Sequence, residues 1–293
     1  MRILIEGGRV IDPANRRDEI LDLVIQDERI AELRPSTPKD ARRRAEYDRV
    51  LDARGKVVCP GFVDLHVHLR EPGREDIETI ATGTAAAARG GFTSVCCMAN
   101  TSPVNDNQSV TDFIVDRARR DGVVHVFPIG AISKGLQGEE LAEIGELVGA
   151  GCVAVSDDGK PVMNAEIMRR ALEYSTLFGI PVIQHAEDAH LTGKGVMHEG
   201  RVSAALGLRG IPAASEAVMV GRDILLAELT GGRYHVAHVS TAESVRLVKE
   251  AKAKGLPVTC EVAPHYFALT DEAVQSFDTN AKMSPPLRSA RHV

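Results

Sequence analysis

From residue 60 onward the chain alternates short, nearly continuous apolar runs with longer amphipathic ones. The apolar runs are GFVDLHV (61–67), FTSVCCM (92–98), VVHVFPI (123–129), GCVAVSD (151–157), IPVIQHA (180–186), YHVAHVS (234–240) and LPVTCEVAP (256–264). Between them, IETIATGTAAAARG, NAEIMRRALEYSTLFG and TAESVRLVKEAKAKG carry apolar residues at helical spacing. Runs that are apolar throughout mark strands buried on both faces, as in a parallel sheet covered by helices. Seven such strands predict an α/β fold, a (β/α)₈ TIM barrel. A doubly wound sheet is the alternative, but no GxGxxG or GxxxxGK[ST] turn occurs. The final stretch KMSPPLRSARHV offers no further strand, so the eighth strand and its helix are expected to be missing, leaving two unpaired edges.

The first 59 residues follow another pattern. RILIEGGRVID, LDLVIQDERIAEL and RVLDARGKVVCPG mix β-branched residues with Gly and Asp turns and show no helical period. They predict a small β-sandwich-like domain over 1–59, ahead of a barrel domain over 60–293, with RPSTPKDARRR as a surface loop.

Composition narrows the function classes. The chain is 44% hydrophobic and 26% charged, which is ordinary for a globular protein. A net charge of −6 argues against a nucleic-acid surface, and the basic run DARRRAEYDR carries its own acids, as a solvated face does. No stretch reaches the roughly 18 apolar residues of a membrane span. Glu6 and the Gly7-Gly8 pair break the N-terminal apolar run too early for a signal peptide, and it is the cysteine usage that points to a cytoplasmic protein. Five cysteines without CxxC spacing read as reduced, buried thiols rather than as disulfides or zinc ligands.

The chemistry lies at the strand ends, where barrel enzymes gather their catalytic groups. Those ends carry His66 and His68, Asn100, Asp157-Asp158, His185, His238 and His265. Side chains at i and i+2 of a strand share a face, so the DLHVH pair makes half of a metal site. A lone strand-end histidine is ordinarily a hydrogen-bonded structural residue; several on one rim form a ligand set. Histidine and carboxylate donors suit Zn, Mn, Ni or Fe. Either Asp157 or Asp158 can complete the set. His125 and His235 lie within strands and read as packing or edge residues; His190, His198 and His292 read as surface residues.

The N-terminal β unit leading into PGFVDLHVHLREPG resembles the amidohydrolase superfamily. Within it, HLREPG, MANTSPV, SDDGKPV, QHAED, AHVST and KMSPPLR resemble the long-chain (class I) bacterial dihydroorotases, in family order along the whole chain. The resemblance implies one or two zinc ions held by His66, His68, Asp158, His185 and His238. Asp157 is then expected to bond locally within its turn, as an aspartate near a turn glycine does. The resemblance also implies substrate binding by His68, Arg70, Asn100 and Ser284, although many relatives have Asn where this chain has Ser284. The plain alternative for Arg70 is a surface salt bridge to Glu71 or Glu75. Hydantoinases and allantoinases, the alternative cyclic-amide hydrolases, generally use a carbamylated lysine on strand four; here VAVSDDG has none, and Lys160 lies past the turn. The implied reaction is reversible interconversion of dihydroorotate and N-carbamoyl-L-aspartate in pyrimidine biosynthesis. The family's proton-shuttling Asp stands at the end of strand eight, so no general acid/base is expected before Val293, and the chain alone is expected to be feebly active or inactive. A non-catalytic scaffold partner of aspartate transcarbamoylase is the rival from another class. Aspartate transcarbamoylase is also the protein partner that the resemblance suggests, and an oligomer is compatible with the sequence, which leaves the oligomeric state open.

Overall fold

The computed structural model describes residues 1–36 and 45–293, so much of the surface loop read over 34–44 and of the basic run at 40–49 falls outside the described residues. The chain divides into two compact units, Met1–Phe62 and Val63–Val293.

The first unit is one mixed sheet of five strands: β1 (Arg2–Asp12), β2 (Arg17–Gln26), β3 (Arg29–Pro35), β4 (Arg49–Asp52) and β5 (Val57–Val58). β1 pairs antiparallel with β2 and parallel with β4 and β5, while β2 pairs antiparallel with β3. LDLVIQDERIAEL, whose pattern suggests one strand, is a hairpin. Asp27 and Glu28 both adopt positive φ, 49° and 68°, as a tight turn between right-twisted strands requires. Leu4, Val24 and Tyr47 form its buried cluster.

The second unit is built on seven strands: β6 (Phe62–Val67), β7 (Phe92–Cys97), β8 (His125–Gly130), β9 (Ala154–Ser156), β10 (Pro181–Gln184), and, after a ribbon of β11 (Met197–His198) and β12 (Gly210–Ile211), β13 (Arg233–Val236) and β14 (Val258–Cys260). Their order, β14-β13-β10-β9-β8-β7-β6, keeps every strand beside its predecessor in sequence, as successive βα units of a (β/α)₈ barrel do. The covering helices are α1 (Ile80–Arg89), α2 (Gln108–Asp121), α3 (Ile144–Ala150), α4 (Ala165–Ser175), the short α5 (Ala189–Thr192) and α6 (Arg201–Leu206), α7 (Ala214–Thr230), α8 (Ala242–Ala253) and α9 (His265–Ala268). Side-chain oxygens of Thr79, Asn107, Asn164 and Thr241 cap the helices that follow them by accepting backbone N–H groups of the first turn.

Strand alternation sorts the core into two layers. Val155, Val182, Tyr234, Val236 and Val258 face the helices and pack on Met168, Leu172, Met219, Ile224 and Val248. Cys96, Met98, Ile129, Ala154, Ile183 and Ala237 form the opposite, inner layer. The same parity decides the site. Val67 and Leu69 join the helix-side cluster with Ile80 and Val95, so His66 and His68 point inward.

Four side-chain expectations are corrected. Cys59 and Cys260 are exposed, because one follows a two-residue strand and the other ends an edge strand; Cys96, Cys97 and Cys152 are buried and all five are unpaired. His198 is buried in β11, and His292, read as a surface residue, buries its side chain to 4% exposure and accepts from Ala242 N; the two rings meet edge-on at 5.4 Å, where the ribbon folds residues 197–211 back. A two-residue strand leaves no periodicity, so nothing in the sequence pattern marks this ribbon. His190 is exposed, as expected of a surface residue.

Candidate metal centre

The end of β6 brings the first two histidines to Asp158. His66 lies near the end of β6 and His68 follows it; their Nε2 atoms lie 3.4 and 3.5 Å from Asp158 Oδ2. His185, one residue past β10, sets Nδ1 3.6 Å from Asp158 Oδ1, and His238 sets Nε2 3.3 Å from the same oxygen. His66, His68 and Asp158 form one group of converging ligand atoms, and Asp158, His185 and His238 a second. One carboxylate thus serves two pairs of imidazoles, one pair per oxygen.

The choice between neighbouring aspartates is made by parity. Ala154 faces inward, and Ser156 and Asp158 continue that face. Asp157 goes to the other side, where its carboxylate accepts from the backbone N–H groups of Ile132 (2.8 Å) and Ser133 (3.0 Å) and from the Ser133 hydroxyl. The expectation of a bond within its own turn holds only for its backbone carbonyl, which accepts from Lys160 N. Lys160 itself is exposed.

His238 reaches the centre by breaking the alternation. Val236 faces the helices and Ala237 the interior, so a regular strand would return His238 to the helix side. Its φ of +33° is left-handed, a conformation that costs a non-glycine residue on the order of 1–3 kcal/mol. The following turn is held by the buried Glu216 of α7, which accepts from the backbone N–H and hydroxyl groups of both Ser240 and Thr241.

The donor set fits a divalent cation. Two ligand atoms bound at about 2.0–2.1 Å in a tetrahedron stand about 3.3–3.4 Å apart, close to the spacings around Asp158, while His185 Nδ1 and His238 Nε2 stand closer, at 2.9 Å. Four imidazoles and a carboxylate, without thiolate, suit zinc, manganese, nickel or iron. Burial raises the Asp158 carboxyl, but its bonds to His185, His238 and His66 outweigh this and hold it well below the usual carboxylate range. Burial lowers His66, yet Asp158 and Glu261 prevail and hold it at about 10; the same balance, with Glu187, holds His185 at about 9. His68 and His238 are instead pulled below the ordinary histidine value, chiefly by burial.

The surrounding cavity, about 740 Å³, is lined by Arg70, Asn100, His265, Met283 and Ser284 as well as the cluster. Arg70 adopts φ +60°. Glu71 is buried and bound to Arg117 Nε (2.5 Å) and Ile80 N (2.9 Å), and Glu75 accepts from Gly73 N. Neither therefore pairs with Arg70, and the salt-bridge alternative is not observed among the described residues. The loop stays close because Gly73, at φ +94°, lies where any Cβ would meet Ser102 O at 1.8 Å. Asn100 Oδ1 contacts His68 Nδ1 at 2.9 Å, and the Ser284 hydroxyl donates to Glu187 at 3.2 Å. His265 opens α9 on the cavity wall, outside both ligand groups.

Three residues of the site are not apparent from the sequence. Glu261 contacts His66 Nδ1 at 2.5 Å, Glu187 contacts His185 Nε2 at 3.1 Å, and His235 lies inward with Nε2 3.5 Å from Glu261. Their one available signal is position: an acid or histidine just before or after a strand end, as in CEVAP and QHAED.

The family profile described as Dihydro-orotase-like matches residues 55–244. The chain is 59% identical to a dihydroorotase of Anaeromyxobacter dehalogenans, covering 99% of this chain and 66% of that protein. It is 57% identical to a dihydroorotase of Geotalea daltonii, covering all of this chain and 68% of that one. Among solved structures, the L-hydantoinase (dihydropyrimidinase) of Arthrobacter aurescens superposes with a TM-score of 0.82 at 23% identity, over 99% of this chain and 64% of that chain, a likeness of fold. The chain therefore spans about two thirds of the length of the proteins it matches. With the profile covering most of the chain and relatives of this identity along its whole length, the chain belongs to the dihydroorotase-like family of the amidohydrolases.

Proposed function

We propose that the chain carries the zinc site and substrate grip of a cyclic amidohydrolase that interconverts dihydroorotate and N-carbamoyl-L-aspartate in pyrimidine biosynthesis. The observation that carries this reading is the pairing of each Asp158 oxygen with two imidazole nitrogens, beside an arginine that has no acid partner among the described residues. His66, His68, Asp158, His185 and His238 would hold one or two zinc ions. Zinc in that position supplies Lewis-acid polarisation of the ring carbonyl and activation of a water.

The chain's own residues account for recognition. Dihydroorotate carries a carboxylate that hydantoin and dihydrouracil lack, and a guanidinium binds a carboxylate through two parallel charge-assisted hydrogen bonds. Arg70, on the cavity wall two residues past His68, is the residue for that role. Asn100 directs its oxygen to His68, which leaves its amide N–H groups for the substrate. Ser284 supplies a further hydroxyl on the cavity wall. The family resemblance extends the proposal to aspartate transcarbamoylase as a protein partner, read by co-purification, and the free thiols support a cytoplasmic setting.

The test is to compare dihydroorotate, hydantoin and dihydrouracil as substrates of the zinc-loaded protein, with zinc content measured in parallel. Turnover of dihydroorotate in preference to the other two, however slow in this chain, and lost together with the ion of the His66/His68 position in His66→Ala/His68→Ala, is the expected result. Preference for hydantoin would favour a hydantoinase-like enzyme. Unchanged metal content in the double variant would overturn the site.

A further inference from the structure

The four inward imidazoles are not held alike. In the His66/His68 pair, His66 directs its outer nitrogen to Glu261 Oε1 at 2.5 Å, while His68 directs its own to the neutral Asn100 oxygen at 2.9 Å. In the other pair, His185 directs its outer nitrogen to Glu187 Oε2 at 3.1 Å, while His238 Nδ1 is buried with no hydrogen-bond partner among the described residues. Each side of Asp158 therefore has one carboxylate-backed imidazole and one without. We propose that Glu261 and Glu187 are positioning residues, each tuning one of two separate metal positions: Glu261 the His66/His68/Asp158 position and Glu187 the Asp158/His185/His238 position. This rests on the metal-site reading proposed above.

The physical basis is tautomer control. A carboxylate accepts only, so Glu261 fixes the proton of neutral His66 on Nδ1 and turns the lone pair of Nε2 toward Asp158. Glu187 fixes the proton of His185 on Nε2 and turns the Nδ1 lone pair inward. A carboxylate on the outer N–H also makes the imidazole a stronger donor, and removing such a partner typically weakens metal affinity about 10–100-fold. The two acids come from different segments, Glu261 just past β14 and Glu187 two residues past His185, so each can be changed alone. Glu261 also accepts from His238 N at 3.4 Å, a longer contact that offers no control of that ring's tautomer.

The experiment is a zinc titration of the metal-depleted protein against a chromophoric chelator, repeated with Co²⁺ to read each site's absorption. Wild type, Glu261→Gln, Glu187→Gln and the double variant are compared, with His68→Ala marking the first position and His238→Ala the second. Wild type should take two ions. Glu261→Gln should weaken by about 10–100-fold the same ion that His68→Ala removes, and Glu187→Gln the ion that His238→Ala removes. Each Gln variant loses the ion pair with its histidine, so its metal-free form should melt somewhat below wild type; the Asp variant, which keeps the charge and loses reach, is read in the same titration to separate lost metal affinity from lost folding. Wild-type affinities in both Gln variants, or equal weakening of both ions by either, would overturn the proposal while leaving the metal site standing. A wild-type protein that takes no ion would overturn both.

Discussion

The two sides of Asp158 are built by different means. On one side a single strand delivers both histidines by simple alternation, with His66 and His68 inward because Val67 and Leu69 face the helices. On the other, two strands contribute one histidine each, and His238 arrives only through a left-handed backbone held by Glu216. The first side is a property of a local pattern, whereas the second depends on neighbours far away in sequence. A ligand pair that costs no backbone strain can be written in a few consecutive residues; one that does must be supported by the surrounding fold.

The largest effect expected is at the residue both sides share. Asp158→Asn should abolish binding of both ions, whereas His68→Ala should leave the second position occupied; metal analysis after dialysis distinguishes them. If Asp158→Asn kept one ion at full affinity, the two sides would be independent sites rather than halves of one centre.

Next in size is the pH response of the metal-free protein. His66 and His185 stand at about 10 and about 9 against an ordinary 6.5, so their stabilisation is complete below about 6.5 and is lost as pH rises through 9–10. Glu261 and Glu187, each held at about 2 against an ordinary 4.5 by their histidine partners against the opposing effect of burial, contribute above 4.5 and fail as pH falls toward 2. Melting should therefore peak between about pH 4.5 and 6.5 and decline toward pH 10 by on the order of a few kcal/mol. A melting temperature that rose from pH 7 to 10 would contradict imidazolium groups facing Asp158 on both sides.

Arg70, the proposed grip on the substrate's carboxylate, sharpens the comparison because it lies two residues past His68. Arg70→Ala should raise KM for dihydroorotate by roughly 10–100-fold, the worth of charge-assisted hydrogen bonds of about 1.5–3 kcal/mol, and leave metal content unchanged. An unaltered KM would remove it from substrate binding. The smallest effect on stability is at the strained turn: His238→Gly should make the metal-free fold more stable by about 1 kcal/mol by relieving the left-handed histidine, while removing the second ion as His238→Ala does. His68→Ala, on the unstrained side, should show no such gain in a denaturant titration.

Legibility follows the same division. The βα alternation after residue 60 and the inward HxH pair are readable directly, because strand parity and helical period are local. The fold is readable even where strand lengths are not: GCVAVSD has the pattern of a seven-residue strand, and only Ala154–Ser156 form one. The hairpin at Asp27-Glu28, the buried ribbon carrying His198 and the inward His235 leave no such mark, since two-residue elements and isolated strand histidines carry no period.

The sequence by itself determined which residue types stand at the strand ends and which alternate faces they take, since both follow from spacing along a strand. The tertiary structure decided which of Asp157 and Asp158 enters the centre, how His238 turns into it, and which carboxylates stand behind His66 and His185. All but one of those outcomes depend on hydrogen bonds between segments 24 to 195 residues apart, such as Ser240 N to Glu216, Ile132 N to Asp157 and His66 to Glu261, or on the choice of inward face, which only the packed core assigns; Glu187, two residues from His185, is the exception. Such contacts are selected by the geometry of neighbouring strands, and no local pattern encodes them.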